Sequence, residues 1–220
     1  HTRLRTVTGV QTCALPIYQT LYLTDYSANA IFSLPAVGGV PTLVASGTPE
    51  LVNTRGLALS PDGTTLYVAG WGTGTVLSVP VTGGTPRILH AGAPFIAPHH
   101  VLVSKDGSTL YVADNFAGAV FSLPTSGGTP TTLFAGAPFG ANLAGPLALA
   151  LTTDGQTLLV ACGTAGLFAL PTAGGTPTLF AQLQCLVTGQ AFLLSLGIRS
   201  SSSNLTRSEE HTSELQLPYV

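Results

Sequence analysis

A short motif recurs four times along the chain, and this repeat limits the possible folds more than any other feature. Each copy is a Leu-Pro or Val-Pro step followed by a Gly-Gly pair and a second proline. The first prolines of the copies are Pro35, Pro80, Pro124 and Pro171, with intervals of 45, 44 and 47 residues. A period of this length, built from short segments, indicates a supersecondary unit repeated around an axis.

Turn residues divide each unit into short strands. Asp-Gly turns at Asp62, Asp106 and Asp154 precede the segments LYVAG, LYVAD and LLVAC. Asp-Gly and Gly-Gly sequences supply the positive φ angles that tight hairpins require, so consecutive strands are predicted to be antiparallel. The second unit is predicted to hold four strands, near residues 56–60, 65–69, 75–79 and 86–90. Four-stranded antiparallel units at this period predict the blades of a β-propeller.

The two ends of the chain differ from the repeated middle. Val7–Ile17 and Arg207–Gln216 both resemble translated sequencing-library adapter, and one oligonucleotide read on its two strands can encode both. We therefore expect residues 1–17 and 207–220 to be non-native segments. The chain is then expected to be an internal piece of a longer protein.

The segments between the two ends define the domain prediction. Residues 18–181 are predicted to form β-propeller blades, with a partial first blade that lacks its inner strand and three complete blades after it. Residues 182–206 lose the repeat and are expected to be a degenerate start of a fifth blade or an irregular tail. The predicted fold is all-β, a partial β-propeller of about four four-stranded antiparallel blades in an open arc.

Charged residues are scarce in this chain, and this limits which classes of partner and which cellular locations are expected. Only 7% of residues are charged, the formal net charge is −2, and no run of Lys or Arg occurs. Nucleic-acid binding, which needs clustered basic residues, is excluded. No apolar stretch reaches the roughly 20 residues of a membrane-spanning helix. Low charge with abundant Thr, Gly and Pro favours a periplasmic or extracellular protein.

The segments 56–74 (GLALSPDGTTLYVAGWGTG) and 98–115 (PHHVLVSKDGSTLYVADN) resemble NHL-type and YVTN-type propeller repeats. Gluconolactonase-like propellers are more distant relatives of the same kind. The resemblance implies the propeller fold for about residues 21–181. Because such propellers carry very different activities, it does not by itself imply one function.

In propellers, ligands usually lie near the axis, on the face that carries two sets of loops. Arg55, His99 and Leu147 occupy the equivalent position at the start of three inner strands. Tyr26, Trp71 and Asn115 follow the second strands and, with His99, are the candidate ligand-binding residues. The alternative for the aromatic residues is packing between blades, because large rings mostly serve burial.

The gluconolactonase-like resemblance also implies a divalent cation, such as calcium or zinc, near the axis. The candidate ligands are Glu50, Asn53, His99 and Asn142. The inner-strand position reads Arg, His, Leu here and departs from the Asn, Asp and Glu ligands of those propellers. Adjacent residues of a strand point to opposite faces, so His99 and His100 are not expected to share one metal.

Several other residues are assigned structural roles. Phe95 and Phe139 recur at one blade period and are expected to pack between blades. Asp25 and Asp114 end their strands, where a carboxylate can accept N–H groups of the following turn. Cys162 and Cys185 are expected on the same face, either as a disulfide, which would suit an exported protein, or as two free buried thiols.

No catalytic motif is present: the sequence has no nucleophile elbow, P-loop, CxxC or HExxH. The expected function is therefore a non-catalytic module that binds a protein or small-molecule ligand, without a cofactor. The alternative is a gluconolactonase-like, metal-dependent hydrolase of lactones or esters.

Overall fold

A computed structural model of the chain describes residues 10–13, 20–141 and 144–182, and for residues 10–13 only the backbone. The described strands are β1 Val10–Cys13, β2 Thr20–Asp25, β3 Ala30–Pro35, β4 Thr42–Ser46, β5 Thr54–Leu59, β6 Thr65–Gly70, β7 Thr75–Pro80, β8 Arg87–Ala91, β9 Pro98–Val103, β10 Thr109–Asp114, β11 Ala119–Pro124, β12 Thr131–Ala135, β13 Pro146–Leu151, β14 Thr157–Cys162, β15 Gly166–Pro171 and β16 Thr178–Ala181. A short 3-10 helix, Pro49–Leu51, precedes β5. No helix in this part of the chain is long and apolar enough to cross a membrane.

The strands form four sheets of four consecutive antiparallel strands each. We call these sheets blades 1 to 4, in chain order. The inner strands follow one another around the axis, since β5 contacts β1 and β9, and β9 contacts β13. The four blades form an open arc, as the sequence predicts.

Blade 1 corrects one prediction, because it has four strands and not three. Its inner strand is Val10–Cys13, which pairs with β2 in the register Val10↔Asp25 to Cys13↔Tyr22. This segment lies within the residues expected to be non-native. The inner edge of β2 would otherwise expose unpaired N–H and C=O groups, and main-chain pairing at such an edge depends little on the side chains. Adapter-like residues can therefore complete the blade.

The hydrophobic core lies between neighbouring blades. In β10, Leu110 and Val112 pack toward blade 2, whereas Tyr111 and Ala113 pack toward blade 4. Successive side chains of a strand point to opposite faces, so this one buried strand serves two interfaces. A third cluster joins Ile31 of blade 1 to blade 2. The near-continuous apolar character of these strands follows from burial on both faces.

The Asp-Gly segments are turns, as predicted. The Asp62 carboxylate accepts hydrogen bonds from the Ser60 hydroxyl at 2.5 Å and the Thr64 N–H at 3.0 Å, and Gly63 has φ +73°. Asp106 and Asp154 make the equivalent bonds in blades 3 and 4. Hydrogen bonds to the charged form favour it, so they lower the pKa of all three carboxyls, that of Asp106 to about 2.

The Gly-Gly turns also join each blade to the one before it. The Gly128 N–H donates to the carbonyl of Leu89, at 3.2 Å, and the Gly175 N–H donates to that of Leu133, at 3.3 Å. A Cβ atom on Gly127 would lie 2.9 Å from the Leu89 carbonyl oxygen. Glycine is therefore required here by a close approach between blades and by its φ of +84°.

Phe95 and Phe139 are buried packing residues, which confirms their structural assignment. Phe95 meets Phe121 edge to face, with ring centroids 5.3 Å apart. Phe139 meets Phe168 in the same way at 5.6 Å, one blade further on. Each ring comes from the loop that enters a blade and covers the third strand of that blade.

Candidate functional site

Three inner strands meet at one point of the axial face through their second residues. Nη1 of Arg55, in β5, lies 3.2 Å from Nε2 of His99, in β9. Nδ1 of His99 lies 2.8 Å from the carbonyl oxygen of Leu147, in β13. The residues that the repeat places in equivalent positions thus form a chain of contacts across blades 2, 3 and 4.

These contacts define the protonation state of His99. A backbone carbonyl can only accept, so Nδ1 carries a proton and donates it to Leu147. Arg55 can only donate, so Nε2 is unprotonated and accepts. Burial of His99 and the neighbouring Arg55 charge lower its pKa to about 3. His99 is therefore a neutral imidazole with both ring nitrogens engaged.

Two aromatic residues from different blades contact Arg55, and a third contacts one of them. The carbon of its guanidinium lies 5.0 Å from the Tyr26 ring centroid and 4.7 Å from that of Trp71, both within cation–π range. The Tyr26 and Trp71 rings are 6.2 Å apart and tilted by 58°. Phe116, in blade 3, meets the edge of Trp71 at 5.8 Å. The three rings follow the second strands of blades 1, 2 and 3.

Asn115 completes this group of side chains. It is buried, and its Oδ1 accepts a hydrogen bond of 3.4 Å from the Trp71 indole N–H. The structure therefore brings together all four residues that the sequence singles out for ligand binding, namely Tyr26, Trp71, His99 and Asn115. We call these residues and Arg55 the Arg55 cluster.

Arg55 forms no ion pair with a carboxylate among the described residues. Burial lowers the pKa of its guanidinium, and the contact with the Tyr26 side chain opposes this effect. Its Nε atom is buried and has no hydrogen-bond partner in this part of the chain. The Thr24 hydroxyl donates to its backbone carbonyl and so ties β5 to blade 1. Arg55 is thus held firmly while its charge stays unneutralised.

The two carboxylates at the strand ends of this face bind backbone N–H groups, as predicted. Asp25 accepts from the N–H groups of Ser27 and Ala28, each at 2.9 Å. Asp114 is fully buried and accepts from four N–H groups of two loops, those of Ile96, Ala97, Phe116 and Ala117. Asp114 therefore connects the loop that enters blade 3 to the turn that carries Asn115 and Phe116.

The structure describes three of the four candidate metal ligands. Glu50 lies in the 3-10 helix, the N–H of Asn53 donates to Oδ1 of Asn29 at 2.7 Å, and His99 is engaged at both nitrogens. Asn142 lies outside the described residues. Within the described ranges, no three His, Cys, Asp or Glu side chains are grouped as a metal site requires. A metal at His99 would have to displace Arg55 or Leu147.

His100 lies in β9 next to Gly56 of β5, the inner strand of blade 2. A Cβ atom on Gly56 would lie 2.7 Å from the His100 Cα and 3.1 Å from its Cδ2. Burial lowers the pKa of His100 to about 4, and its buried Nδ1 has no hydrogen-bond partner among the described residues. His100 therefore packs against the neighbouring inner strand, away from the Arg55–His99 contact.

Cys162, the last residue of β14, is buried and forms no disulfide with a described residue. Burial raises its pKa to about 12, which keeps the thiol protonated and unreactive at neutral pH. Cys185 lies outside the described residues, so a bond between the two stays a prediction.

Sequence reasoning did not include Arg55 and Phe116 among the ligand-binding candidates. Arg55 is one of only three Lys or Arg residues in the described ranges, and it shares the inner-strand position of His99. A single cationic residue at this position, one repeat away from His99, indicates in the sequence that Arg55 belongs with the candidate site residues. Phe116 directly follows Asn115, but its contact with Trp71 crosses from blade 3 to blade 2 and cannot be derived from local sequence.

Comparison with protein-family models and with curated proteins finds no match. Solved structures with similar folds include one chain of a nidogen–laminin complex, with a TM-score of 0.58 and 21% identity. They also include the virginiamycin B lyase of Staphylococcus aureus, at 0.61 and 16%, and the hydrazine synthase of Kuenenia stuttgartiensis, at 0.60 and 21%.

These matches cover 70%, 77% and 79% of this chain and 56%, 55% and 49% of the respective structures. The chain thus spans about half the length of the structures it matches. Identities this low support a shared fold and leave function to the residues of the site. Together with the four antiparallel blades, the matches show that the described part of this chain has the β-propeller fold.

Proposed function

We propose that this chain is a non-catalytic binding module of a β-propeller protein and that the Arg55 cluster is its ligand site. One observation carries the proposal. A half-buried guanidinium lies against two aromatic rings on the axial face, without a carboxylate partner among the described residues. Such a group offers hydrogen-bond donors, charge and apolar surface at one place, which are the features of a binding site.

The state of the neighbouring groups supports binding over catalysis. His99 is neutral. Its Nδ1 donates one hydrogen bond and its Nε2 accepts one, so neither nitrogen is available to take a proton from a substrate. Asp25 and Asp114 accept N–H groups of their own loops. A general base needs a free acceptor within reach of the substrate, and these three side chains have other partners.

Trp71 makes the proposal easy to test, because it is the one tryptophan of the chain. We would titrate benzyl alcohol, a neutral aromatic probe, into the full chain and follow tryptophan fluorescence. The expected result is a saturable change that Phe116→Ala weakens. Phe180→Ala removes an exposed ring from the outer strand of blade 4 and should leave the titration unchanged. A change that is not saturable, or one that both variants alter equally, would reject the site.

A parallel assay addresses the hydrolase alternative. The full chain is incubated with glucono-δ-lactone in the presence of EDTA, Ca²⁺ or Zn²⁺, and acid release is followed with a pH indicator. We expect the rate of spontaneous hydrolysis in all three conditions. A rate that rises with added metal and falls on Asn142→Ala would favour the metal-dependent hydrolase and the ligand set Glu50, Asn53, His99 and Asn142.

We further propose an NHL- or YVTN-type repeat and a periplasmic or extracellular location. The low charge of the chain and the resemblance of residues 56–74 and 98–115 support these proposals. A disulfide between Cys162 and Cys185 would agree with an oxidising compartment. Mass spectrometry of the protein isolated without reductant, before and after reduction, would detect it.

A further inference from the structure

The cations of the described residues differ sharply in their surroundings. Arg87 and Lys105 are exposed, and Arg87 donates to the Ser126 carbonyl at 2.8 Å. Arg55 is partly buried, and its described partners are the neutral side chains of Tyr26, Trp71 and His99. Neutral partners hold a cation in place without cancelling its charge. The axial face therefore presents one positive charge with no counter-charge bound to it in the described part of the chain.

The guanidinium also keeps unused hydrogen-bond donors. It carries five N–H groups. Nη1 serves His99, the Tyr26 side chain also bonds to the guanidinium, and Nε is buried without a partner among the described residues, so the remaining donors are those available to a ligand. A carboxylate has two oxygens whose spacing matches this planar fork, and such pairs are often bidentate. The unused donors and the unneutralised charge point to the same chemical group.

Exposed apolar side chains lie on the far side of Trp71, the ring that contacts this charge. Phe116 is 40% exposed and contacts Trp71, and Ile96 is 61% exposed. The Asp114 carboxylate binds the N–H groups of both Ile96 and Phe116, which holds these two residues next to each other. Exposed apolar groups that a buried carboxylate fixes in place form a rigid apolar surface. A ligand of this site would cover it with an apolar or aromatic part.

We propose that the Arg55 cluster binds a singly charged carboxylate with an adjoining aromatic or aliphatic group. The carboxylate would pair with Arg55, and the apolar group would lie on Trp71, Phe116 and Ile96. A single charge is favoured because one cation is available at the site and His99 is neutral. This inference rests on the proposed function and adds the chemical class of the ligand.

The test compares two probes of equal shape, phenylacetate and phenylacetamide, on the full wild-type chain. Trp71 fluorescence and calorimetry give both affinities. We expect phenylacetate to bind about tenfold more tightly, as a hydrogen-bonded charge pair would give. Added NaCl should weaken the binding of phenylacetate and leave the binding of phenylacetamide unchanged, because salt screens only the interactions of the charged probe. Equal affinities would overturn the inference and leave the binding module intact, whereas no binding of either probe would reject both.

Two matched variants test whether Arg55 causes the preference for phenylacetate over phenylacetamide. Arg55→Gln should lower the affinity for phenylacetate to that for phenylacetamide, and Arg87→Gln should keep the wild-type ratio. Circular dichroism establishes that both variants are folded. If Arg55→Gln does not fold, Arg55→Lys is used, which keeps the charge and loses the planar fork, and a smaller preference is expected. A preference as large as that of the wild type, in whichever Arg55 variant is measured, would overturn the inference.

A further comparison distinguishes a peptide carboxyl terminus from a small organic acid as the ligand. The peptide Ac-Gly-Gly-Phe is compared with its C-terminal amide and with phenylacetate. Tighter binding of the free peptide acid than of phenylacetate would assign the site to a peptide carboxyl terminus. Tighter binding of phenylacetate would assign it to a small organic acid.

Discussion

Nε2 of His99 accepts a hydrogen bond of 3.2 Å from Nη1 of Arg55, and this contact excludes a proton from that nitrogen. Protonation would place two positive charges side by side and make two hydrogen-bond donors face each other. The Leu147 carbonyl holds the remaining proton on Nδ1. The imidazole therefore serves as a neutral hydrogen-bond acceptor for the guanidinium.

Stability should fall as the pH falls below neutrality. The pKa of His99 is about 3 in the folded chain and about 6.5 when unfolded, so between these values the unfolded state binds the extra proton. His99 therefore contributes stability that is fully present above pH 6.5 and lost as the pH approaches 3. Urea unfolding between pH 7 and pH 5 should show a loss of about 1.4 kcal/mol per pH unit below 6.5, with a same-sign contribution from His100.

The variant His99→Gln should make this pH dependence shallower, because glutamine does not titrate. The His100 contribution would remain in the variant, which gives an internal reference. A wild-type free energy of unfolding that is constant from pH 7 to pH 5 would contradict the neutral state of His99.

Removing the charge of Arg55 should raise the pKa of His99. Burial is the largest cause of its low pKa and the Arg55 charge is the second, so Arg55→Gln removes only the second. We expect a value above about 3 and still below the ordinary 6.5. Side-chain ¹⁵N NMR of the histidines across a pH titration measures it directly. An unchanged His99 pKa in this variant would show that the two groups are not electrostatically coupled.

Asp114→Asn should destabilise the chain more than Asp25→Asn. Both oxygens of Asp114 accept backbone N–H groups, and an amide NH₂ in place of one oxygen would face donors with a donor. The expected cost is about 1–3 kcal/mol, typical of buried groups that lose their partner. Asp25 uses only Oδ1 for its two bonds, so asparagine can replace it with little loss. Chemical denaturation compares the two variants, and equal losses would refute a special role for Asp114.

Gly127→Ala should cost more stability than Gly38→Ala. Both glycines hold the same position of the repeat, with φ of +84° and +90°. Both variants should therefore lose about 1–2 kcal/mol of unfolding free energy, because alanine is strained in the left-handed backbone conformation. Only at Gly127 would the new Cβ also meet the preceding blade, 2.9 Å from the Leu89 carbonyl oxygen. The difference between the two unfolding free energies measures this contact. A difference of zero would show that the blades move apart freely.

Most of the fold could be predicted from sequence because its signals are local. Asp62-Gly63 and the Gly-Gly pairs require positive φ, and the alternation along Leu110–Ala113 reports burial on two faces. The exception is β1, which lies outside the repeat and pairs with the edge of β2 in antiparallel register. Backbone pairing of that kind leaves no reliable mark in the side chains.

The sequence by itself determined the repeat, the turns and the face on which Tyr26, Trp71, His99 and Asn115 lie, since each follows from period and position. Only the tertiary structure decided that Arg55 contacts the rings of Tyr26 and Trp71 and bonds to His99. Those contacts join three blades, and the angle and distance at which blades pack depend on the buried residues of whole interfaces. A partly buried charge with no counter-charge among the described residues is therefore a property of the packed arc and not of any one repeat.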